Sequence, residues 1–256
     1  MSKTFVLGDI HGAHKALKQV LERSNFNYEE DTLIQLGDVA DGWYEVYECV
    51  EELLKIKNLI AIKGNHDELF AEFLTKGIHP TKWAMGGDGT LKSYANYVNN
   101  SEDVELFGRY INIVQSLGAY LSNLTTVDIP KSHIEFFTKT QIPYYVDDKN
   151  RCFVHGGFDR DFKIAEQHYL TLCWDRELFN KALSAESWDQ PKITTADDFN
   201  EIFIGHTTTT MWETTKPMKA ANVWNLDTGA GTYGKVTIMD VNTYEYWQSD
   251  LFKELY

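Results

Sequence analysis

The feature that most restricts the fold of this sequence is a repeated pairing of a short apolar segment with glycine and a polar residue. The polar residues of these blocks are Asp9, His11, Asp38, Asn65, His66, His155 and His206. Each apolar segment has the length of a β-strand, and helical periodicity separates the first three segments. Such alternation predicts parallel strands joined by crossover helices, with ligands at their carboxyl ends. We therefore expect all seven side chains to meet at one edge.

The predicted elements divide the chain into three parts. The first part has strands at 3–7, 32–36 and 59–63 and helices at 14–23 and 43–57. The segment 68–139 is mostly helical in pattern, contains a loop at 86–89, and is interpreted as an insert or cap beside the site. Further strands are predicted at 144–146, 151–154, 201–204, 223–226 and 235–241, with 244–248 as another candidate. We predict an α/β (α+β) fold in one domain spanning residues 1–256.

Composition and charge exclude several classes of protein. The chain has 24 basic and 38 acidic residues, which gives a formal net charge of −14 and argues against a dedicated nucleic-acid binder. No apolar run approaches the ~20 residues of a membrane helix, and the N-terminus lacks a signal peptide, so we predict a cytoplasmic protein without membrane contact. Cys49, Cys152 and Cys173 lack CxxC spacing, which disfavours disulfides and thiolate zinc sites.

The residue types in the blocks predict metal chemistry. Carboxylates and neutral imidazoles without thiolates suit Mn²⁺, Fe or Zn²⁺. The donors outnumber those that one ion needs, which favours two divalent ions bridged by a carboxylate. Two such ions generate a nucleophilic hydroxide near neutral pH and neutralise phosphoryl oxygens, so phosphate esters are the expected substrates. Bound cations would also reverse the local field of an acidic protein.

The motifs GDIHG, GDVADG, GNHD, VHGG and GHT resemble the five blocks of the calcineurin-like metallophosphoesterase superfamily. They are most similar to its phosphoprotein phosphatase branch, which includes bacterial and phage serine/threonine phosphatases and symmetrical diadenosine tetraphosphatases. The blocks follow the family order from Gly8 to Thr207, about three-quarters of the chain. The resemblance implies a two-sheet β-sandwich flanked by helices.

The resemblance also implies a role for each residue of the blocks. Asp9 and His11 would bind the first metal, and Asp38 would bridge to the second. Asn65, His155 and His206 would complete the second site. Mn²⁺ is the expected ion at both sites, and Fe or Zn²⁺ are alternatives. His66 would act as the general acid while a bridging hydroxide attacks phosphorus in line, and Asp41 would orient His66.

Some positions depart from the family pattern or leave alternatives open. Gly42 stands where the phosphatase branch has a phosphate-binding Arg, so Arg176 and Asn65 are the candidates for contacting the substrate phosphate. Arg176 could instead pair with Glu177, and Lys63 and Arg109 are further candidates. Asp67 replaces the usual Glu, with little expected consequence. Trp83 could stack on a substrate base, segment 86–90 could shape a groove or form a plain turn, and Asp227 is interpreted as structural.

Three functions follow from these residues. The first is a phosphomonoesterase of the serine/threonine protein phosphatase-like type, acting on a phosphorylated substrate. The second is a phosphoanhydride hydrolase that acts on dinucleoside polyphosphates, which the missing Arg favours. The third is a metal-binding regulatory protein with weak catalysis, for which Gly42 would be the sign of lost activity.

Overall fold

The computed structural model describes residues 2–80, 83, 86–100, 111–116, 119–188 and 190–256, and Arg109 lies outside this part. Two five-stranded mixed sheets organise it. The first sheet has the order β12-β11-β1-β2-β3. Its strands are β1 (Thr4–Leu7), β2 (Thr32–Gln35), β3 (Asn58–Ala61), β11 (Thr237–Asp240) and β12 (Tyr246–Gln248). Strands β1, β2 and β3 are parallel, and β11 runs antiparallel to β1.

The second sheet has the order β6-β7-β8-β10-β9. Its strands are β6 (Tyr144–Val146), β7 (Arg151–Val154), β8 (Glu201–Ile204), β9 (Met218–Ala220) and β10 (Val223–Asn225). Strands β7, β8 and β10 are parallel, whereas β6 and β9 form antiparallel edges. Strand β9 was not predicted. The strands that were predicted are all present, some of them with slightly shifted ends.

Apolar side chains from both sheets form one buried cluster, because successive strand residues point to opposite faces. Val6 and Ile34 of the first sheet share this cluster with Phe153 and Phe203 of the second. The Phe153 and Phe203 rings stack with centroids 4.9 Å apart. Phe5, the neighbour of Val6, instead belongs to the cluster on the helical side. The predicted two-sheet architecture is therefore confirmed.

Helices cover the outer faces of the sheets. They are α1 (His14–Arg23), α2 (Val46–Leu53), α3 (Asn65–Lys76), α4 (Gly87–Asn100), α5 (Lys131–Glu135), α6 (Tyr169–Trp174), α7 (Glu177–Ser187) and α8 (Phe252–Leu255). A π-helical turn, Phe136–Thr140, follows α5, and 3₁₀ turns lie at Thr126–Asp128, Ile164–Glu166 and Thr209–Trp212. No described helix is long and apolar enough to span a membrane.

Two predictions about the helices were wrong in detail. Helix α2 begins at Val46 instead of residue 43, because the N–H groups of Trp43 and Glu45 donate to the carbonyls of His11 and Gly12. The predicted loop at 86–89 is instead the start of α4, which begins at Gly87. The described part of the insert also contains a hairpin of β4 (Ile113–Ser116) and β5 (Ala119–Ser122), which the helical pattern did not predict.

Candidate metal centre and active site

The ends of five strands bring the predicted site residues together. Asp9 and Asp38 follow β1 and β2, Asn65 and His66 begin α3 after β3, and His155 and His206 follow β7 and β8. Both sheets contribute because the carboxyl ends of their parallel strands meet at the same edge. The backbone is left-handed at His11, Asp38, Asp41 and His206, with φ between 49° and 68°. Such non-glycine conformations cost about 1–3 kcal/mol each and cluster at functional sites.

Asp38 lies at the centre of the site. Its Oδ2 is 3.5 Å from Nε2 of His11 and 3.3 Å from Nε2 of His155. Its Oδ1 accepts a hydrogen bond from the backbone N–H of His66 at 2.9 Å. Burial alone would raise the pKa of Asp38, but the surrounding imidazoles of His155, His66 and His11 hold that pKa well below its usual range. Asp38 is therefore an ionised carboxylate between two groups of imidazoles.

Asp9 and His11 lie on one side of Asp38. Asp9 Oδ2 is 3.8 Å from His11 Nε2, and the Asp9 carboxylate accepts from the N–H of His206 at 3.2 Å. His11 Nδ1 is 3.2 Å from the Ala40 carbonyl, so a proton on Nδ1 leaves Nε2 free to face the carboxylates. Burial lowers the pKa of His11 to about 4, which leaves its imidazole neutral at pH 7. Burial and the nearby Asp227 and Asp38 charges raise the pKa of Asp9.

Asn65, His155 and His206 lie on the other side. His155 Nδ1 is 2.8 Å from the Leu36 carbonyl, which directs Nε2 toward Asp38 and toward Asn65 Oδ1 at 3.0 Å. His206 Nε2 is buried and has no hydrogen-bond partner among the described residues. Burial, with a contribution from His155, lowers the pKa of His206 to about 2. A buried neutral imidazole nitrogen without a partner is what a metal ligand requires.

The donor atoms fall into two groups that could each hold a metal ion. Asp38, His155 and His206 form one group, and His11, Asp38 and His66 form the other, with the ligand atoms of each group within 4.8 Å of one another. The first group agrees with the predicted second metal site. The second group contains His66 where Asp9 was expected, so His66 is close enough to serve either as a ligand or as an acid. Buried carboxylates and imidazoles without thiolates fit divalent transition metals.

His66 and Asp41 form a hydrogen-bonded pair beside the donor groups. His66 Nδ1 is 2.8 Å from Asp41 Oδ2, and the His66 side chain is 18% exposed whereas that of Asp41 is fully buried. Trp83 Nε1 and Thr90 Oγ1 donate to the other oxygen of Asp41, at 2.8 and 2.6 Å. Burial would lower the pKa of His66, but the Asp38 and Asp41 carboxylates raise it to about 9.

Sequence reasoning underestimated Asp67. Its carboxylate accepts from the backbone N–H groups of Asp38, Val39, Ala40 and Gly64 and from Nε2 of Gln141, at 2.7–3.1 Å. It thereby fixes the loop after β2 to the beginning of α3. The block Gly64-Asn65-His66-Asp67 contains the residue, but only long-range contacts show the role.

The structure places the remaining candidates around the rim. Arg176 donates to the His206 carbonyl at 2.8 Å and to Thr207 Oγ1 at 3.2 Å, which anchors its side chain beside the site. Lys63 pairs with Glu68 at 3.2 Å. Trp83 is only 4% exposed, so its ring is not available to stack on a substrate base.

Gly42 has φ of +79°, and a Cβ there would lie 2.9 Å from His11 Cβ and 3.0 Å from the His11 carbonyl oxygen. An arginine at this position, as in the phosphatase branch, would therefore require His11 or the left-handed backbone of residue 42 to shift.

A cavity of about 1120 Å³ opens beside Asn65 and Trp174. Its walls come from α3, from the π-helical turn and from α6, and include Leu69, Ile78 and Leu170. The charged groups Lys63, Glu68, Glu72 and Lys76 also line it. Of the predicted metal donors, Asn65 lines this cavity, so the cavity adjoins the site at Asn65 and has room for more than a phosphate group.

The fold and the donor set together define a metal-dependent hydrolase of phosphate esters. Residues 2–210 match the model of the calcineurin-like phosphoesterase family, and the chain belongs to this family. It is 23% identical to serine/threonine-protein phosphatase 1 of Salmonella typhimurium over 241 residues, which cover 91% of this chain and 89% of the relative. It is 37% identical to a symmetrical bis(5'-nucleosyl)-tetraphosphatase of Pseudomonas entomophila over 65 residues, covering 25% of this chain and 23% of the relative.

A solved structure shares the fold. The cold-active protein-tyrosine phosphatase of a psychrophilic Shewanella species superposes with a TM-score of 0.53 at 13% identity, covering 98% of this chain and 81% of that one. The family and the fold therefore agree with the resemblance drawn from the five sequence blocks.

Proposed function

We propose that this chain is a phosphomonoesterase of the serine/threonine protein phosphatase-like type that requires two divalent metal ions. The observation that carries the proposal is the hydrogen-bonded His66–Asp41 pair directly beside Asp38 and its imidazole neighbours. The similarity to the Salmonella phosphatase extends over 91% of the chain, which supports the monoester substrate. The similarity to the Pseudomonas tetraphosphatase covers only 25%, too little to carry a substrate across.

Six residues would hold the ions. Asp9 and His11 would bind one ion, Asn65, His155 and His206 would bind the other, and Asp38 would contact both. Bound divalent ions would activate water as a nucleophile and neutralise the charge of the phosphoryl oxygens. Mn²⁺ is the proposed ion, although these donors also accept Fe and Zn²⁺. Arg176 and Asn65 would contact the phosphate, since both border the site and Arg176 is anchored on the His206 carbonyl.

His66 would protonate the departing oxygen. Asp41 accepts from Nδ1, so the transferable proton is on Nε2, and the 18% exposure of the side chain leaves a path to substrate. Removing a general acid typically costs 10²–10⁴ in rate when the leaving group is poor. The adjoining cavity of about 1120 Å³ would accommodate the alcohol part of the ester.

The test uses metal-stripped protein and three variants assayed with and without added Mn²⁺. Wild type should hydrolyse p-nitrophenyl phosphate and phenyl phosphate only with metal, and Asp38→Asn should lose both activities. His66→Asn should still bind Mn²⁺ but should lose about 10²–10⁴ in turnover on phenyl phosphate, whose leaving group is a phenol with a pKa near 10. Arg176→Ala should raise KM more than it lowers kcat.

Product analysis separates the alternatives. Rapid release of nucleotide from a dinucleoside tetraphosphate, with slow monoester turnover, would replace the monoesterase proposal by a phosphoanhydride hydrolase. Stoichiometric Mn²⁺ binding without hydrolysis of any of these substrates would refute the catalytic proposal.

A further inference from the structure

The carboxylate of Asp41 is held by the insert as well as by His66. Asp41 Oδ2 contacts His66 Nδ1, whereas Oδ1 accepts from Trp83 Nε1 at 2.8 Å and from Thr90 Oγ1 at 2.6 Å. The Thr90 hydroxyl also accepts from the backbone N–H of Asp41 at 2.8 Å. The Asp41 N–H can only donate, so the hydroxyl oxygen accepts there and the single hydroxyl proton is donated to Oδ1. An indole nitrogen is a donor only, so Oδ1 is the acceptor in both contacts.

Three glycines allow the insert to approach Asp41 this closely. A Cβ at Gly87 would lie 2.2 Å from Trp83 Cδ1, and a Cβ at Gly89 would lie 2.3 Å from the Gly42 carbonyl oxygen. Gly86 has φ of +103°, and its carbonyl accepts from the Gly42 N–H at 3.0 Å. The first turn of α4 therefore presses directly on the loop after β2, which places Thr90 against Asp41.

The Trp83 ring is fixed by aromatic packing on its other side. Its centroid lies 5.2 Å from that of Phe73 and 5.8 Å from that of Phe70, both in α3. The ring is buried, so the Trp83 N–H can donate to water in place of Asp41 only if the ring moves out of this packing. Among the described residues, Asp41 Oδ1 is the acceptor for the Trp83 N–H.

We propose that Trp83 and Thr90 are positioning residues for the acid step, because they orient Asp41 so that Oδ2 holds His66 Nδ1–H. This inference rests on the proposed role of His66 as the acid. In the acid step the Nε2–H proton passes to the leaving oxygen as the P–O bond breaks. The neutral imidazole keeps its Nδ1–H on Asp41 and later regains a proton on Nε2 from water.

Loss of either donor leaves the buried Oδ1 of Asp41 with one of these two hydrogen bonds. The carboxylate can then rotate, and His66 no longer presents Nε2–H in a fixed direction. These hydrogen bonds of Trp83 and Thr90 go to Asp41 and not to a proposed metal donor, so metal binding should be preserved. The loss of turnover should be larger for esters whose leaving group must be protonated.

The experiment compares Trp83→Phe, Thr90→Val, Thr90→Ser and His66→Asn with wild type, all loaded with Mn²⁺. Trp83→Phe and Thr90→Val should lose about tenfold to a hundredfold in kcat on phenyl phosphate, the usual cost of removing a partner of an oriented imidazole, with little change on p-nitrophenyl phosphate. Thr90→Ser keeps the hydroxyl and should retain activity on both substrates. Calorimetry should show unchanged Mn²⁺ affinity, and NMR should show faster exchange of the His66 Nδ1 proton in the two impaired variants.

The possible results separate this inference from the proposed function. If His66→Asn discriminates between the two esters and Trp83→Phe and Thr90→Val do not, the positioning role is wrong and the acid role stands. Equal losses on both esters, or weaker Mn²⁺ binding, would show a structural role and also overturn the inference. If His66→Asn does not discriminate, the acid assignment is wrong, and the inference fails with it.

Discussion

The substitution Asp67→Asn tests whether one carboxylate fixes two strand-end loops of the site. Asp67 Oδ1 accepts from the N–H groups of Val39 and Ala40, and Oδ2 accepts from those of Asp38 and Gly64 and from Gln141 Nε2. Asparagine keeps the shape but replaces one oxygen by an amide nitrogen that cannot accept. At least part of this set of buried donors must then lose its partner.

The cost follows from counting the donors that lose an acceptor. If the amide nitrogen replaces Oδ1, the N–H groups of Val39 and Ala40 are left unsatisfied. If it replaces Oδ2, Gln141 can turn its amide, since its Oε1 has no hydrogen-bond partner among the described residues, but two backbone N–H groups still lose theirs. Each buried unsatisfied donor costs about 1–3 kcal/mol, so the expected destabilisation is about 2–6 kcal/mol. That is a large part of the ~5–15 kcal/mol that stabilises a typical domain.

Urea unfolding of the metal-free protein at pH 7 measures this loss, and titration with Mn²⁺ measures its effect on the site. We expect metal affinity to fall about tenfold to a hundredfold, because Asp38 is no longer held in place. Asp31→Asn is the matched control: Asp31 is 5% exposed and accepts from the N–H groups of Lys3 and Asn27, one on each oxygen. The Asp31→Asn variant should leave one of these two N–H groups without an acceptor and should keep its Mn²⁺ affinity. If the two variants lose equal stability, or if Asp67→Asn binds Mn²⁺ normally, the reasoning is refuted.

Three further predictions concern residues around the acid. Gly42→Arg should lower stability by about 1–3 kcal/mol in thermal unfolding without raising kcat/KM, because residue 42 is left-handed and its Cβ would meet His11; a gain in kcat/KM would contradict this. Gly89→Ala should reduce turnover on phenyl phosphate more than on p-nitrophenyl phosphate, since a Cβ would meet the Gly42 carbonyl. In metal-free protein the pKa of His66 is raised to about 9. Its stabilisation of about 3 kcal/mol relative to His66→Gln should be complete below pH ~6.5 and lost as the pH rises to about 9; urea unfolding at pH 6 and pH 10 that gave the same difference would contradict it.

The strand-end residues could be predicted from the sequence because each block contains its own structural signal. In Leu7-Gly8-Asp9, for example, an apolar strand, a turn and a ligand-type residue are adjacent in the chain. Parallel strand order then brings the blocks to one edge without further information. The structure places all of the predicted metal donors around Asp38, while their assignment to individual ions stays a prediction.

Contacts between distant segments could not be predicted in this way. The five donors of Asp67 come from residues up to 74 positions away, and Gln141 has no local pattern that marks it. The late start of α2 has the same origin, because the backbone of Trp43 bonds to His11 rather than to its own helix. Helical periodicity also did not reveal the hairpin β4–β5, since strands of four residues are too short for a clear alternation.

The two halves of the proposed chemistry depend on different parts of the chain. The proposed metal donors stand on strand ends and on the first residue of α3, which the two packed sheets hold in place. The orientation of Asp41 depends instead on Trp83 and Thr90, which belong to the insert. Sequence changes in the insert can therefore alter the proton transfer without altering metal affinity.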